Sequence, residues 1–308
     1  MPMAQINGAR THYHVTGSGT PILFITPPLL TGESFNYQRA QLSDDFQVIT
    51  YDIRGHGRSE RSPVPLSYPL LIEDIKQLID HLGLEKVYIC GYSTGGQLAL
   101  EAMLTYPDRF LGGIIISGMS EVSDWYLRAR VSAAQYIARL GLKRALAALI
   151  SYGIADSRQS FKQMYRHAKH GNTRDMSRYY QITKKNNCTS RLRRITAPIL
   201  LIYGKKDWSF YRYARILQKH LHHYTMHMID GVSHQIPIKA AGEMNRTIRA
   251  WIHEQSGMQI GHDQLSERKA SRQKLDQPTS QAEQDEREIV FTPSHEIPWD
   301  SEPKALKI

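Results

Sequence analysis

Cysteine is scarce in these 308 residues: Cys90 stands inside a predicted strand and Cys188 in a basic helical region. Two such residues make no disulfide framework, so the fold must rest on an apolar core, and a reducing compartment, the cytoplasm, fits them. The N-terminus lacks a charged start followed by an apolar stretch and runs straight into Gln5-Ile6-Asn7-Gly8, so no secretory signal is expected. No apolar run approaches the roughly 20 residues of a spanning helix, so no transmembrane segment is expected either. Beyond Gly257 aromatics dwindle to Phe291 and Trp299 while Glu, Gln, Ser, Asp, Lys and Arg prevail. That composition cannot bury enough apolar surface to order itself, and 257–308 is expected to be a disordered polar tail. A tail that binds nothing is the default expectation, and Ile289-Val290-Phe291 and Ile297-Pro298-Trp299 are the candidates for docking on a protein partner.

The remainder is rich enough in apolar residues, at 41% overall, to build a sizeable core. Its charge is uneven. Between Glu121 and Ile195 stand sixteen basic residues and four acidic ones, which puts essentially all of the net +10 in this segment. Such a segment suits an anionic substrate or a membrane surface, or is simply a solvated helical face. Nucleic acid is not expected as a partner, because no recognised binding motif accompanies the charge. His222, His223 and His227 cluster without a carboxylate or cysteine at helpful spacing, so neither a metal nor another cofactor is expected.

Periodicity organises the chain. Asn7-Gly8 supplies the positive φ angles of a tight turn between two short strands within residues 4–15. Pro21 to Ile25 is a continuous apolar run, as in a strand covered on both faces, and Phe46 to Tyr51, Lys86 to Cys90, Leu111 to Ser117, Pro198 to Tyr203 and Tyr224 to Ile229 read alike. Helical stretches separate them: Glu33 to Leu42; Leu71, Ile72, Ile75, Leu78, Ile79 and Leu82 at helical spacing before Gly83; Gly96 to Tyr106; Phe210 to His220; and Lys239 to His253. Strands alternating with helices predict an α/β fold with a doubly wound, mostly parallel sheet, whose ligands bind beyond the carboxyl ends of the strands. From 120 to 195 the alternation stops and helices predominate, at Asp124 to Leu140, Leu142 to Tyr152 and Asn172 to Asn186.

Gly91-Tyr92-Ser93-Thr94-Gly95 lies between a predicted strand and a predicted helix. There the glycines permit a tight turn that lifts the Ser93 hydroxyl clear of the sheet. The Thr94 N–H falls at the helix N-terminus, where an oxyanion is favoured. Asp207, after one strand, and His234, after another, complete the order serine, acid, histidine. On these residues, and on Asp52-Ile53-Arg54-Gly55-His56-Gly57-Arg58-Ser59 after the second parallel strand, the chain resembles the α/β-hydrolase family over residues 4–255.

The resemblance implies a catalytic triad of Ser93, Asp207 and His234, a core formed by 1–119 and 196–256, and a helical cap at 120–195. It implies that the Asp52 loop braces the sheet, so His56 is structural. It also exposes a departure. Where the family has His-Gly-x after its first parallel strand and uses the N–H of x as an oxyanion donor, x here is Pro28, which has none. Either Leu29 or a side chain then supplies the donor beside Thr94, or the oxyanion hole is incomplete. Pro28, Trp125, Tyr126 and Tyr136 are expected to line the substrate pocket, joined by Met164, Tyr165, Tyr179 and Tyr180; simple helix packing is the competing explanation for each cap aromatic. Glu121 is the alternative orienting acid. The expected activity is hydrolysis of a small-molecule carboxylic ester or related acyl bond through an acyl-serine intermediate. The alternative is a catalytically weak ligand-binding or signalling protein on the same scaffold.

Overall fold

The computed structural model describes residues 2–257. The proposed tail and its two docking segments lie outside them. A hairpin opens the chain, β1 (Met3–Ile6) and β2 (Ala9–Thr16), with both Asn7 and Gly8 at positive φ. Then follow β3 (Thr20–Ile25), α1 (Asn36–Leu42), β4 (Phe46–Tyr51), α2 (Tyr68–His81), β5 (Val87–Tyr92), α3 (Thr94–Thr105) and β6 (Phe110–Ile116). Four helices follow: α4 (Trp125–Arg139), α5 (Lys143–Ile154), α6 (Arg158–Ala168) and α7 (Thr173–Lys185). The sheet resumes with β7 (Ile199–Gly204), α8 (Tyr211–His220) and β8 (Tyr224–Ile229), and α9 (Ile236–Lys239) and α10 (Ala241–Gln255) end the described chain.

The strands form one sheet in the order β1-β2-β4-β3-β5-β6-β7-β8. The pairs β1–β2 and β2–β4 are antiparallel, and all others are parallel. Every residue of β5 and β7 is buried, which explains their unbroken apolar sequence: helices cover both faces. This is the α/β-hydrolase architecture. The chain winds from β3 outward to β4, then returns past β3 to β5, so the loops after β3 and β5 leave neighbouring strand ends at the reversal. That crevice is where open α/β sheets bind ligands.

The helical insertion leaves and rejoins the sheet at one place. Gln97 on α3, fully buried, donates to the Ser120 carbonyl at 3.1 Å and to the Asn186 carbonyl at 2.9 Å, and accepts from the Tyr68 hydroxyl at 2.6 Å. One side chain thus ties both ends of the insertion to the helix that follows Ser93. Helix α6 stands between the second and third of the expected helical stretches. The Asp52 loop braces the sheet: Asp52 accepts from the Gly32 and Arg58 N–H groups and from His12, each at 3.0 Å.

Candidate active site

The turn between β5 and α3 carries Ser93 at φ 54° and ψ −121°, a conformation that L-residues other than glycine rarely adopt. Its N–H donates to the Ile116 carbonyl at 2.8 Å, which pins the turn to β6. Gly95 permits the turn to close against β3, since a Cβ there would stand 2.5 Å from the Ile25 carbonyl oxygen. The side chain of Ser93 is thereby presented at the strand ends.

His234 comes from the loop after β8 and Asp207 from the loop after β7. The loops interlock: the Lys206 N–H donates to the Val232 carbonyl at 2.9 Å and the Lys205 N–H to the Ile229 carbonyl at 2.8 Å. Gly204 makes this possible, because a Cβ there would run into the carbonyls of Val232 and Ser233. His234 Nδ1 lies 2.8 Å from Asp207 Oδ2, and His234 Nε2 lies 2.9 Å from Ser93 Oγ. A carboxylate can only accept, so Nδ1 donates to it and Nε2 is left to accept the serine proton. The Asp207 carboxylate is buried, and its second oxygen accepts from Ser209 Oγ at 3.2 Å. Phe210 and Tyr92 flank the imidazole, with ring centroids at 4.2 Å and 5.4 Å. Burial and then the Asp207 charge push the Tyr92 phenol up, while the Arg130 guanidinium on α4 pulls it down. Tyr92 therefore serves the site as an uncharged wall.

Two backbone N–H groups stand at the neighbouring strand ends. Thr94 begins α3. Leu29, fully buried, sits at φ 75° in the loop after β3. Two consecutive tyrosines of α7 hold that loop by its carbonyls: Tyr179 donates to the Thr26 carbonyl at 3.3 Å and Tyr180 to the Pro28 carbonyl at 3.4 Å. In a trans peptide C=O and N–H point in opposite directions, so fixing the Pro28 carbonyl also fixes the Leu29 N–H. Pro28 itself is buried.

The aromatics expected in the pocket require correction. Trp125 is 80% exposed, Tyr136 61% and Tyr126 47%. Trp125 and Tyr136 project from the side of α4 opposite the buried Leu127 and Val131, so they face solvent and not an enclosed pocket. Tyr179 and Tyr180 are buried, but as clamps on the loop after β3. Glu121 accepts from Asn187 and Thr189, each at 2.8 Å, and the carboxylate on His234 is that of Asp207. His227, from the histidine cluster, pairs with Glu243 at 3.2 Å. Phe210 and Tyr92 carry no signal in the sequence that marks them as supports, whereas Gln97, a polar residue within an apolar helix, does.

Residues 38–239, well over half of the chain, match the family profile described as serine aminopeptidase, S33. The chain belongs to the α/β-hydrolase family. It is 25% identical over 235 residues to 3-oxoadipate enol-lactonase 2 of Acinetobacter baylyi, covering 75% of this chain and 88% of that one. It is 26% identical over 263 residues to the human serine hydrolase BPHL, covering 78% and 82%. Among solved structures, an esterase from Exiguobacterium antarcticum superposes with a TM-score of 0.74 at 17% identity, over 81% of this chain and 98% of that one. The enol-lactonase of Burkholderia xenovorans superposes with a TM-score of 0.73 at 20% identity, over 82% and 99%. The protein is thus an α/β-hydrolase enzyme. No helix among the described residues is long and apolar enough to cross a membrane.

Proposed function

We propose that the protein is a serine hydrolase that cleaves a carboxylic ester or related acyl bond through an acyl-Ser93 intermediate. The observation that carries this reading is the continuous hydrogen-bonded line from Ser93 Oγ through His234 to Asp207, with contacts of 2.9 Å and 2.8 Å. In the first step His234 Nε2 takes the Ser93 proton as Oγ bonds to the acyl carbon, and the charge on the former carbonyl oxygen is met by the N–H groups of Thr94 and Leu29. Collapse breaks the bond to the leaving group, which takes the proton from His234. Water then loses a proton to His234, attacks the acyl carbon and frees Ser93. Asp207 holds the ring in the reactive tautomer and stabilises its protonated form. The helices of 120–195 act as a cap over the strand ends, and the positive charge of that segment favours an acyl substrate that carries an anionic group.

A fluorophosphonate probe tests the nucleophile. Stoichiometric labelling at Ser93, together with loss of aryl ester turnover in a folded Ser93→Ala variant, is the expected result. Unchanged turnover in that variant refutes the assignment, and a wild type that is neither labelled nor active points to a scaffold kept for binding alone. Matched neutral and anionic esters with equal kcat/KM at low salt would remove the anionic preference while leaving the nucleophile intact.

A further inference from the structure

Helix α4 is apolar on two opposite sides. Leu127, Val131 and Ala138 are buried against the protein. On the other side Trp125, Ala129, Ala133, Tyr136 and Leu140 recur at helical spacing and are all exposed. Helix α5 repeats the pattern: Leu146 and Ala147 are buried, while Leu142, Ala145 and Leu149 form a second exposed row, and Tyr152 beside them meets the Phe161 ring edge to face. Leu149 is 65% exposed, more than an isolated surface leucine needs for packing. The rows meet at the turn, where Leu140 and Leu142 flank Gly141. Exposed apolar rows of this kind on a folded protein mark a contact site.

Charge selects the occupant. From Trp125 to Ala155 the chain holds five basic residues and no acidic one; Arg128 donates to the Val122 carbonyl at 3.0 Å and Lys143 to the Gly171 carbonyl at 2.8 Å, while Arg130, Arg139 and Arg144 are exposed and supply the surface charge. Lys184 of α7 adds to them, reaching Ser132 and Gln135 of α4 at 2.8 Å and 3.1 Å. The acids bounding the segment are engaged: Asp124 caps α4 and accepts from Tyr213, and Asp156 accepts from Tyr37 at 2.8 Å. A symmetric contact between two copies would set these cations against one another. Trp and Tyr beside Arg and Lys, around an apolar row, are the side chains that settle at the level of lipid headgroups.

We propose that the outer face of α4 and α5 docks on an anionic lipid bilayer, with the aromatic and leucine side chains entering the headgroup region and the basic residues meeting lipid phosphates. The docking is independent of the chemistry assigned to Ser93.

Co-sedimentation of the full chain with vesicles tests it. Phosphatidylcholine vesicles containing phosphatidylglycerol should bind at least about tenfold more strongly than phosphatidylcholine alone, and 0.5 M NaCl, used here as roughly a near-complete screen, should remove most of the difference. Leu149→Glu and, separately, Arg139→Glu should each reduce binding severalfold while circular dichroism and melting temperature stay at wild-type values, since both residues are exposed. Equal binding to the two vesicle types, no binding to either at low salt, or wild-type binding by Leu149→Glu would overturn the proposal. So would a lipid-free dimer in light scattering that Leu149→Glu disperses, because a second copy would then cover the face.

Discussion

The hydroxyl of Tyr180 donates to the carbonyl of Pro28 at 3.4 Å, joining the helical insertion to the loop that presents the Leu29 N–H. On the proposed mechanism, the insertion thereby positions an oxyanion donor through Tyr180. Loss of a whole oxyanion donor lowers kcat by roughly 10²- to 10³-fold, and a donor that merely loses its tether suffers less. Tyr180→Phe is expected to lower kcat by about tenfold with KM nearly unchanged. Steady-state kinetics on an aryl acetate distinguish this from a packing defect, which would move stability instead.

The His234 tautomer depends on the buried carboxylate of Asp207. An amide at that position can present its N–H₂ group to Nδ1 and stabilise the wrong tautomer, with the overall geometry preserved. Asp207→Asn should fold with wild-type stability and lose roughly 10³- to 10⁴-fold in kcat. Retention of most of the activity would show that another group orients the ring.

At Gly95 the elbow meets the end of β3 with no room for a methyl group. The obstacle is backbone, the Ile25 carbonyl 2.5 Å from the hypothetical Cβ, so side-chain repacking cannot relieve it. Gly95→Ala should cost at least about 2 kcal/mol in urea unfolding and should also displace the loop that carries Leu29. A variant of wild-type stability would contradict the close approach.

His56 titrates far from its ordinary value: burial drives its pKa down to about 4, against opposing contributions from the Arg54 carbonyl and the Asp52 charge. Its Nδ1 donates to the Arg54 carbonyl at 3.1 Å, and its ring meets Tyr179 edge to face. Between pH 6.5 and 4 the unfolded chain holds a proton at this site that the folded chain refuses, so stability rises with pH across that window and is lost as pH falls through it. From pH 7 to pH 5 this residue should remove roughly 2 kcal/mol of unfolding free energy. In His56→Gln the pH dependence should shrink by about that amount, whatever the variant's stability at pH 7.

Most of the framework was legible because parallel strands buried on both faces leave long apolar runs, and because a serine elbow, an acid and a histidine each close such a run. The missing N–H at Pro28 was also visible in the chain, and Leu29 could be named from it. What could not be read was which side of a helix faces inward. Helix α4 carries two apolar rows, and spacing alone does not say that Leu127 and Val131 are covered while Trp125 and Tyr136 are not. The same holds for the tyrosines of α7, whose value lies in hydrogen bonds to a loop about 150 residues earlier, a relationship that periodicity cannot express. Helix α6 shows only a weak period because its exposed polar residues dilute a narrow buried face of Met164, His167 and Ala168.

The backbone at Ser93 is held where only glycine rests at ease, at an expected cost of roughly 1 to 3 kcal/mol. Ser93→Gly should therefore melt at a higher temperature than the wild type while losing the hydroxyl. On the proposed mechanism, the most durable version of this molecule is one that does nothing, and the surrounding sheet must be firm enough to carry Ser93 as a permanent internal load.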